Sequence, residues 1–320
     1  MHLRRLDAYF RRLVEEGLLP GAVVLVARGG EVVFQGVYGY LDSGRGLPLR
    51  EDALFRLSSM TKPWVSALAL SFVEEGTLSL LDPVEKYLPE FSGLRVGREV
   101  GEGIVYEPLK RPLTVYDLLR HTAGLTYGVF FRSPVKGLYL EAGVDRFDLS
   151  REVFLERLAA LPLRFQPGET FEYGLATDLL GHLLEALAGR SLAELLEERL
   201  FRPLGMKDSG FQAKDPARLA QPFPKDPETG HSLRLLPVET PPPRYAGGMG
   251  GVGTAADYLA FLEALRLGRG ALSPTMAGFM VQDHLGSLYP EALKRGPEYL
   301  PGPGYSFGLG VAVRVEPMGY

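Results

Sequence analysis

Ser59-Met60-Thr61-Lys62 sets a hydroxyl and an amine three residues apart inside FRLSSMTKPWVSALALSFVEEG, residues 55–76. A serine hydroxyl is a poor nucleophile until a neighbouring base takes its proton. A lysine amine can be that base where burial or nearby positive charge lowers its pKa. The pairing spells acyl transfer through a serine ester. Spacing alone is weak, because Ser133-Pro134-Val135-Lys136 repeats the pattern with a proline inside and nothing to fix both ends on one face.

Two further motifs could carry chemistry and lack the elements it requires. GYSFG, residues 304–308, fits a nucleophile elbow, but a Gly/Pro loop precedes Ser306 and no Asp or His follows it. GMGGVG, residues 248–253, fits a dinucleotide loop, but Pro241–Pro243 disfavour a strand before it and the expected acidic position is empty. A tight packing loop is the expectation there.

The element that must position Ser59 and Lys62 is a helix start. Pro63 is tolerated only in a first turn, so the helix is predicted to begin near Ser59. Residues i and i+3 then share a face, and the positive end of the helix dipole favours negative charge at the serine. The competing reading is that Ser58 or Ser59 caps the helix and Lys62 reaches out to water.

The rest of the chain bounds the class of protein. With 320 residues, 46% of them hydrophobic, it can bury a large core as one big domain or two closely packed ones. A net charge of −4 argues against a nucleic-acid partner, and no apolar run is long enough for a membrane span. Cysteine is absent, which removes thiol catalysis and disulfides; five histidines show no metal spacing. The amphipathic N-terminus lacks the features of a secretion signal, so a cytoplasmic location is expected. Missing asparagine, excess arginine and 25 prolines fit a heat-adapted protein.

GAVVLVARGGEVVFQGVYGYLD reads as a hairpin turning at Arg28–Glu31, and residues 77–230 read as mostly helical. TVYDLLRHTAGL is predicted to stop at Gly124, REVFLERLAALP at its proline, and TDLLGHLLEALAGRSLAELLEERLF to hold two helices broken near Gly189. YSFGLGVAVRVEP reads as a strand. The expected architecture is an antiparallel sheet domain from both termini, residues 1–55 and 231–320, with a mainly helical domain at 56–230.

FRLSSMTKP, LTVYDLLRHTAGL, QPGETFEYGLATDLLGHLLEALAG, LFRPLGMKDSGF and GGMGGVGTAADYLAFLEAL occur in the order seen in the serine β-lactamase and penicillin-binding protein superfamily. The chain most resembles family VIII carboxylesterases and class C β-lactamase-like hydrolases over residues 5–315. The resemblance implies an α/β (α+β) fold of that type, with the active site between the two domains. It makes Ser59 the acylated nucleophile, Lys62 its base and Tyr173 the tyrosine of the second motif, able to relay the proton. Tyr127 and Phe130, in an aromatic segment expected to wall the acyl pocket, are expected to touch substrate with Leu175 and Met249. His121 is read as a structural loop residue and His182 as a satisfied core residue. No metal or organic cofactor is implied.

Two departures matter. The second motif is Tyr173-Gly174-Leu175, with no asparagine to bind a substrate amide, which shifts the reading from antibiotic hydrolysis to esters. The third motif of the family is not found before Tyr320, so the C-terminal strand or strands and final helix are expected to be missing. The reading is a serine hydrolase acting on small-molecule esters. Its rivals are a D-amino-acid peptidase or weak β-lactamase, and a catalytically inactive binding module.

Overall fold

The computed structural model describes residues 2–227, 229–233 and 235–316, with His2 by its backbone alone. Helix α1 (His2–Glu15) leads into strands β1 (Gly21–Arg28), β2 (Glu31–Asp42) and β3 (Leu47–Pro48), which form one antiparallel sheet. The predicted hairpin is present, with Val24 opposite Gly36 and Arg28 opposite Glu31. Its turn needs positive φ at Gly29 (65°) and Gly30 (89°), which glycine supplies without steric cost. Tyr38 of β2 fastens α1 by stacking on Phe10 and donating a hydrogen bond to Asp7.

The short strand β4 (Phe55–Arg56) enters a 3₁₀ turn, Ser58–Met60, and then helix α2 (Thr61–Glu74). Trp64, Val65, Leu68, Ala69 and Leu70 of α2 are all fully buried, so the helix is apolar nearly all round rather than striped. Strands β5 (Arg95–Val100) and β6 (Gly103–Pro108) form a hairpin inside the stretch expected to be helical. Helices α3 (Val115–Leu119), α4 (Pro134–Ala142), α5 (Arg151–Ala159), α6 (Ala176–Ala188) and α7 (Leu192–Leu196) follow. The break between α6 and α7 is where expected: Gly189 takes φ 64° and Ser191 opens α7 with a capping box to Glu194. Helix α3, by contrast, stops at Leu119, five residues short of Gly124.

Strand β7 (Val252–Gly253) pairs with β4, and α8 (Ala255–Leu267) then packs against β1. Helices α9 (Pro274–Met280) and α10 (Tyr289–Leu293) precede a hairpin of β8 (Tyr305–Phe307) and β9 (Ala312–Arg314). The C-terminal run is therefore two strands, not one. Among the described residues it does not join β1–β3, so their sheet is built from the N-terminal strands alone. Its apolar side chains explain the difference: Phe307 packs on Phe171, Leu285 and Tyr299, and Leu309 enters the main core. That core runs from Leu57 to Leu309 with α2 and α6 at its centre. Among the described residues no helix is long and apolar enough to cross a membrane.

Candidate active site

The turn before α2 brings hydroxyl and amine together. A 3₁₀ turn repeats every three residues, so side chains at i and i+3 eclipse. Ser59 Oγ stands 3.2 Å from Lys62 Nζ. Neither serine caps the helix: the N-cap is Met60, with no side-chain bond. Ser58 adopts φ 46°, a left-handed conformation uncommon for serine, directly beside Ser59. Thr61 secures the bend, donating to the Ser58 carbonyl at 2.7 Å and accepting from Gly251 N at 2.8 Å.

Lys62 does not reach water; its side chain is buried, 2% exposed. The amine lies 3.2 Å from the Tyr127 hydroxyl and donates to the Gly248 carbonyl at 2.8 Å. Gly248 belongs to the Gly-rich run 248–253, which thus serves as a close-packed loop on the lysine. A Cβ at Gly248 would fall 2.1 Å from Asp178 Oδ2, so glycine is required for this approach.

Tyr173 flanks the amine in another way. Its ring centroid is 4.6 Å from Lys62 Nζ, so it offers its π face, while Tyr127 offers its hydroxyl. The two rings are 6.0 Å apart. Tyr127 is almost fully buried and Tyr173 half-buried. Burial, then the charge of Asp178, pushes the Tyr127 phenol well above its ordinary pKa and keeps it protonated.

His121 supports Tyr173 from behind, with ring centroids 4.8 Å apart. Its Nδ1 accepts from Gly174 N at 3.4 Å, and its carbonyl accepts from Glu172 N at 2.8 Å. Burial, then the nearby Lys62 charge, holds its pKa well below the usual histidine value, so the ring is neutral. His182 is less complete than expected: Nδ1 meets Glu185 Oε2 at 2.7 Å, whereas Nε2 has no partner among the described residues.

Ser59, Tyr127 and Tyr173 open onto a cavity of about 950 Å³. Its lining also includes Tyr40, Phe55 and Leu236, and Leu140, Asp145 and Phe147. Phe130 and Met249 line it. Leu175 does not. It is fully buried in the main core at the N-cap of α6, where an apolar side chain turns inward. The sequence reading also missed Tyr127 as a partner of the lysine, and Asp145 in the cavity wall. Composition offered no signal for either.

The other motif matches resolve structurally. Ser306 is fully buried and donates to Asp283. Ser133 caps α4, and Lys136 is buried against Glu172 at 3.4 Å. Among the described residues no group of His, Cys, Asp or Glu is placed to hold a metal ion.

Residues 6–318 match the sequence profile of the family described as Beta-lactamase. The chain belongs to the beta-lactamase family. That membership makes it a serine hydrolase of the beta-lactamase-like type. Among relatives, it is 37% identical to Esterase EstB from Burkholderia gladioli, over 98% of this chain and 80% of that protein. It is 31% identical to lovastatin esterase from Penicillium rubens, over 90% of this chain and 74% of that protein. Among solved structures, EstCE1, a hydrolase with promiscuous acyltransferase activity, superposes with a TM-score of 0.80 at 32% identity, covering 97% of this chain and 82% of the other.

Proposed function

We propose that this chain hydrolyses carboxylic esters, or transfers their acyl groups, through an acyl-enzyme on Ser59. The observation that carries the reading is the contact of Ser59 Oγ with the buried Lys62 amine at the edge of a large, mostly apolar cavity. Esterase EstB and EstCE1 support the same chemistry by similarity.

In the first half-reaction Ser59 Oγ attacks the ester carbonyl carbon as Lys62 takes the hydroxyl proton. In its unprotonated form the amine has two N–H groups and one lone pair. The Gly248 carbonyl takes one N–H, which fixes the amine while the lone pair addresses Ser59. The C–O bond of the tetrahedral intermediate breaks, and the alkoxide leaves with a proton supplied from the Lys62 side. We assign the passing of that proton to the phenol of Tyr173, the tyrosine of the second motif, which lines the cavity next to the amine. Tyr127, buried and hydrogen-bonded to Nζ, holds the base. Water or an alcohol then attacks the Ser59 ester as its proton passes to Lys62; the Oγ–acyl bond breaks, Ser59 Oγ recovers that proton, and an acid or a new ester is released.

The absence of asparagine, with Leu175 turned into the core, leaves no Tyr-x-Asn amide to grip a peptide or lactam. The test is incubation with a fluorophosphonate and a short-chain p-nitrophenyl ester, with the adduct mapped by mass spectrometry. Label on Ser59, ester turnover, and loss of both in Ser59→Ala are expected. A label elsewhere, or turnover of nitrocefin or a D-Ala-D-Ala peptide in place of the ester, would overturn the reading.

A further inference from the structure

Glu172 sits one residue before Tyr173, Thr126 one before Tyr127, and the two side chains meet. Thr126 Oγ1 donates to Glu172 Oε1 at 2.5 Å, with both residues buried. A longer 3.4 Å approach to the Tyr127 carbonyl is the hydroxyl's other contact. The two backbones are in contact as well: a Cβ at Gly174 would fall 2.4 Å from the Leu125 carbonyl oxygen and 2.5 Å from Thr126 Cα.

Behind this contact, Glu172 is fixed by three cations. Lys136 Nζ lies at 3.4 Å, Arg164 Nη1 at 3.2 Å, and Arg295 donates both to Glu172 and to the Phe171 carbonyl. Glu298 accepts from Arg164 at 2.6 Å and Arg295 at 2.7 Å, and Glu99 meets Arg164 at 3.5 Å. The carboxylate is thus anchored to α4, to the chain after α5 and to the segment after α10. None of these groups touches the cavity-facing atoms of Ser59 or Lys62.

We propose that Glu172 is a positioning residue: through Thr126 it locks the two segments bearing Tyr127 and Tyr173, and so sets both phenols against the Lys62 amine. The proposal rests on the esterase reading above. A buried carboxylate held by three cations cannot drift, so its bond to Thr126 transmits that rigidity to the loop carrying Tyr127. Thr126 gives the cleaner test, since its loss leaves Glu172 with its cations and creates no unpaired charge.

The experiment compares Thr126→Val, Thr126→Ser and Thr126→Ala with wild type and Ser59→Ala on p-nitrophenyl acetate. Serine and alanine differ there by the hydroxyl alone, which keeps the test valid if valine disturbs packing. Thr126→Ser should retain kcat, whereas Thr126→Val and Thr126→Ala should lose roughly 10- to 100-fold in kcat with KM little changed, as misplacement of catalytic groups does. Amide exchange followed by mass spectrometry should quicken at 126–128 and 172–174 in the same two variants. Equal kcat in the serine and alanine variants, with Ser59→Ala inactive, overturns the clamp and spares the esterase reading. Wild type no faster than Ser59→Ala overturns both.

Discussion

Lys62→Met tests the proposed base. Methionine has nearly the length of lysine and no proton to exchange, so the packing around residue 62 is largely kept. What is lost is the lone pair 3.2 Å from Ser59 Oγ. General-base catalysis by a positioned group is worth about 10² to 10⁴ in rate, or about 3–5 kcal/mol of barrier at 1.36 kcal/mol per decade. The fold is expected to survive. Gly248 O and the Tyr127 hydroxyl lose a partner, at about 1–3 kcal/mol for a buried group left unpaired. Relief from burying an amine at 2% exposure offsets much of that cost. The assay is steady-state turnover of p-nitrophenyl acetate together with the rate of fluorophosphonate labelling at Ser59, with urea unfolding run in parallel. Both rates should fall by at least about 10² while the unfolding midpoint moves little. A variant that keeps kcat within about threefold of wild type would show that Lys62 is not the base.

The two tyrosines should separate by role. Tyr173→Phe is expected to lower kcat by about 10² or more as a lost proton relay, and Tyr127→Phe by about tenfold as a lost hydrogen bond to the amine; the reverse order in steady-state kinetics would exchange the roles. Asp145 should leave a mark on stability. Its carboxyl accepts from Gly128 N at 3.0 Å, its other oxygen has no partner among the described residues, and burial pushes its pKa up to about 6. An unfolded aspartate titrates near 3.9, so between about pH 4 and 6 the native state holds the extra proton and this group's contribution falls as pH rises, by roughly 2–3 kcal/mol at most. Asp145→Asn should therefore gain stability relative to wild type between urea melts at pH 4.5 and pH 7.5; parallel curves would contradict it. Glu298 carries the opposite sign: against burial, Arg164 and Arg295 hold its pKa to about 2, so its contribution is lost as pH falls from about 4.5 toward 2.

What the sequence disclosed was mainly local. Ser59 and Lys62 are three residues apart on one turn, and Pro63 marks the helix start, so their meeting follows from backbone geometry. Tyr127 and Gly248 reach the same amine across 65 and 186 residues, and no periodicity encodes such contacts. Leu175 was misplaced because its direction depends on where α6 begins; with the helix starting at Ala176, the leucine turns into the core. The β5–β6 hairpin escaped notice among long apolar helices, although Gly101 at φ 59° supplies its turn. The C-terminal hairpin was merged into one strand because glycines 308 and 310, which break it, sit within an apolar run. The antiparallel N-terminal hairpin and the α6–α7 break were legible because turn glycines and a capping box state them directly.

The bond from Lys62 to the Gly248 carbonyl bears on the order of events during synthesis. Ser59 and Lys62 emerge from the ribosome together, early, on one turn at the start of α2. Their third anchor comes almost two hundred residues later, and β4 waits equally long for β7, since Phe55 pairs with Gly253. A nascent chain stopped short of that loop would carry Ser59 and Lys62 without the carbonyl that fixes the amine. Contacts of such long range form late and slowly. On the proposed mechanism, the geometry that aims the Lys62 amine is therefore completed only near the end of folding.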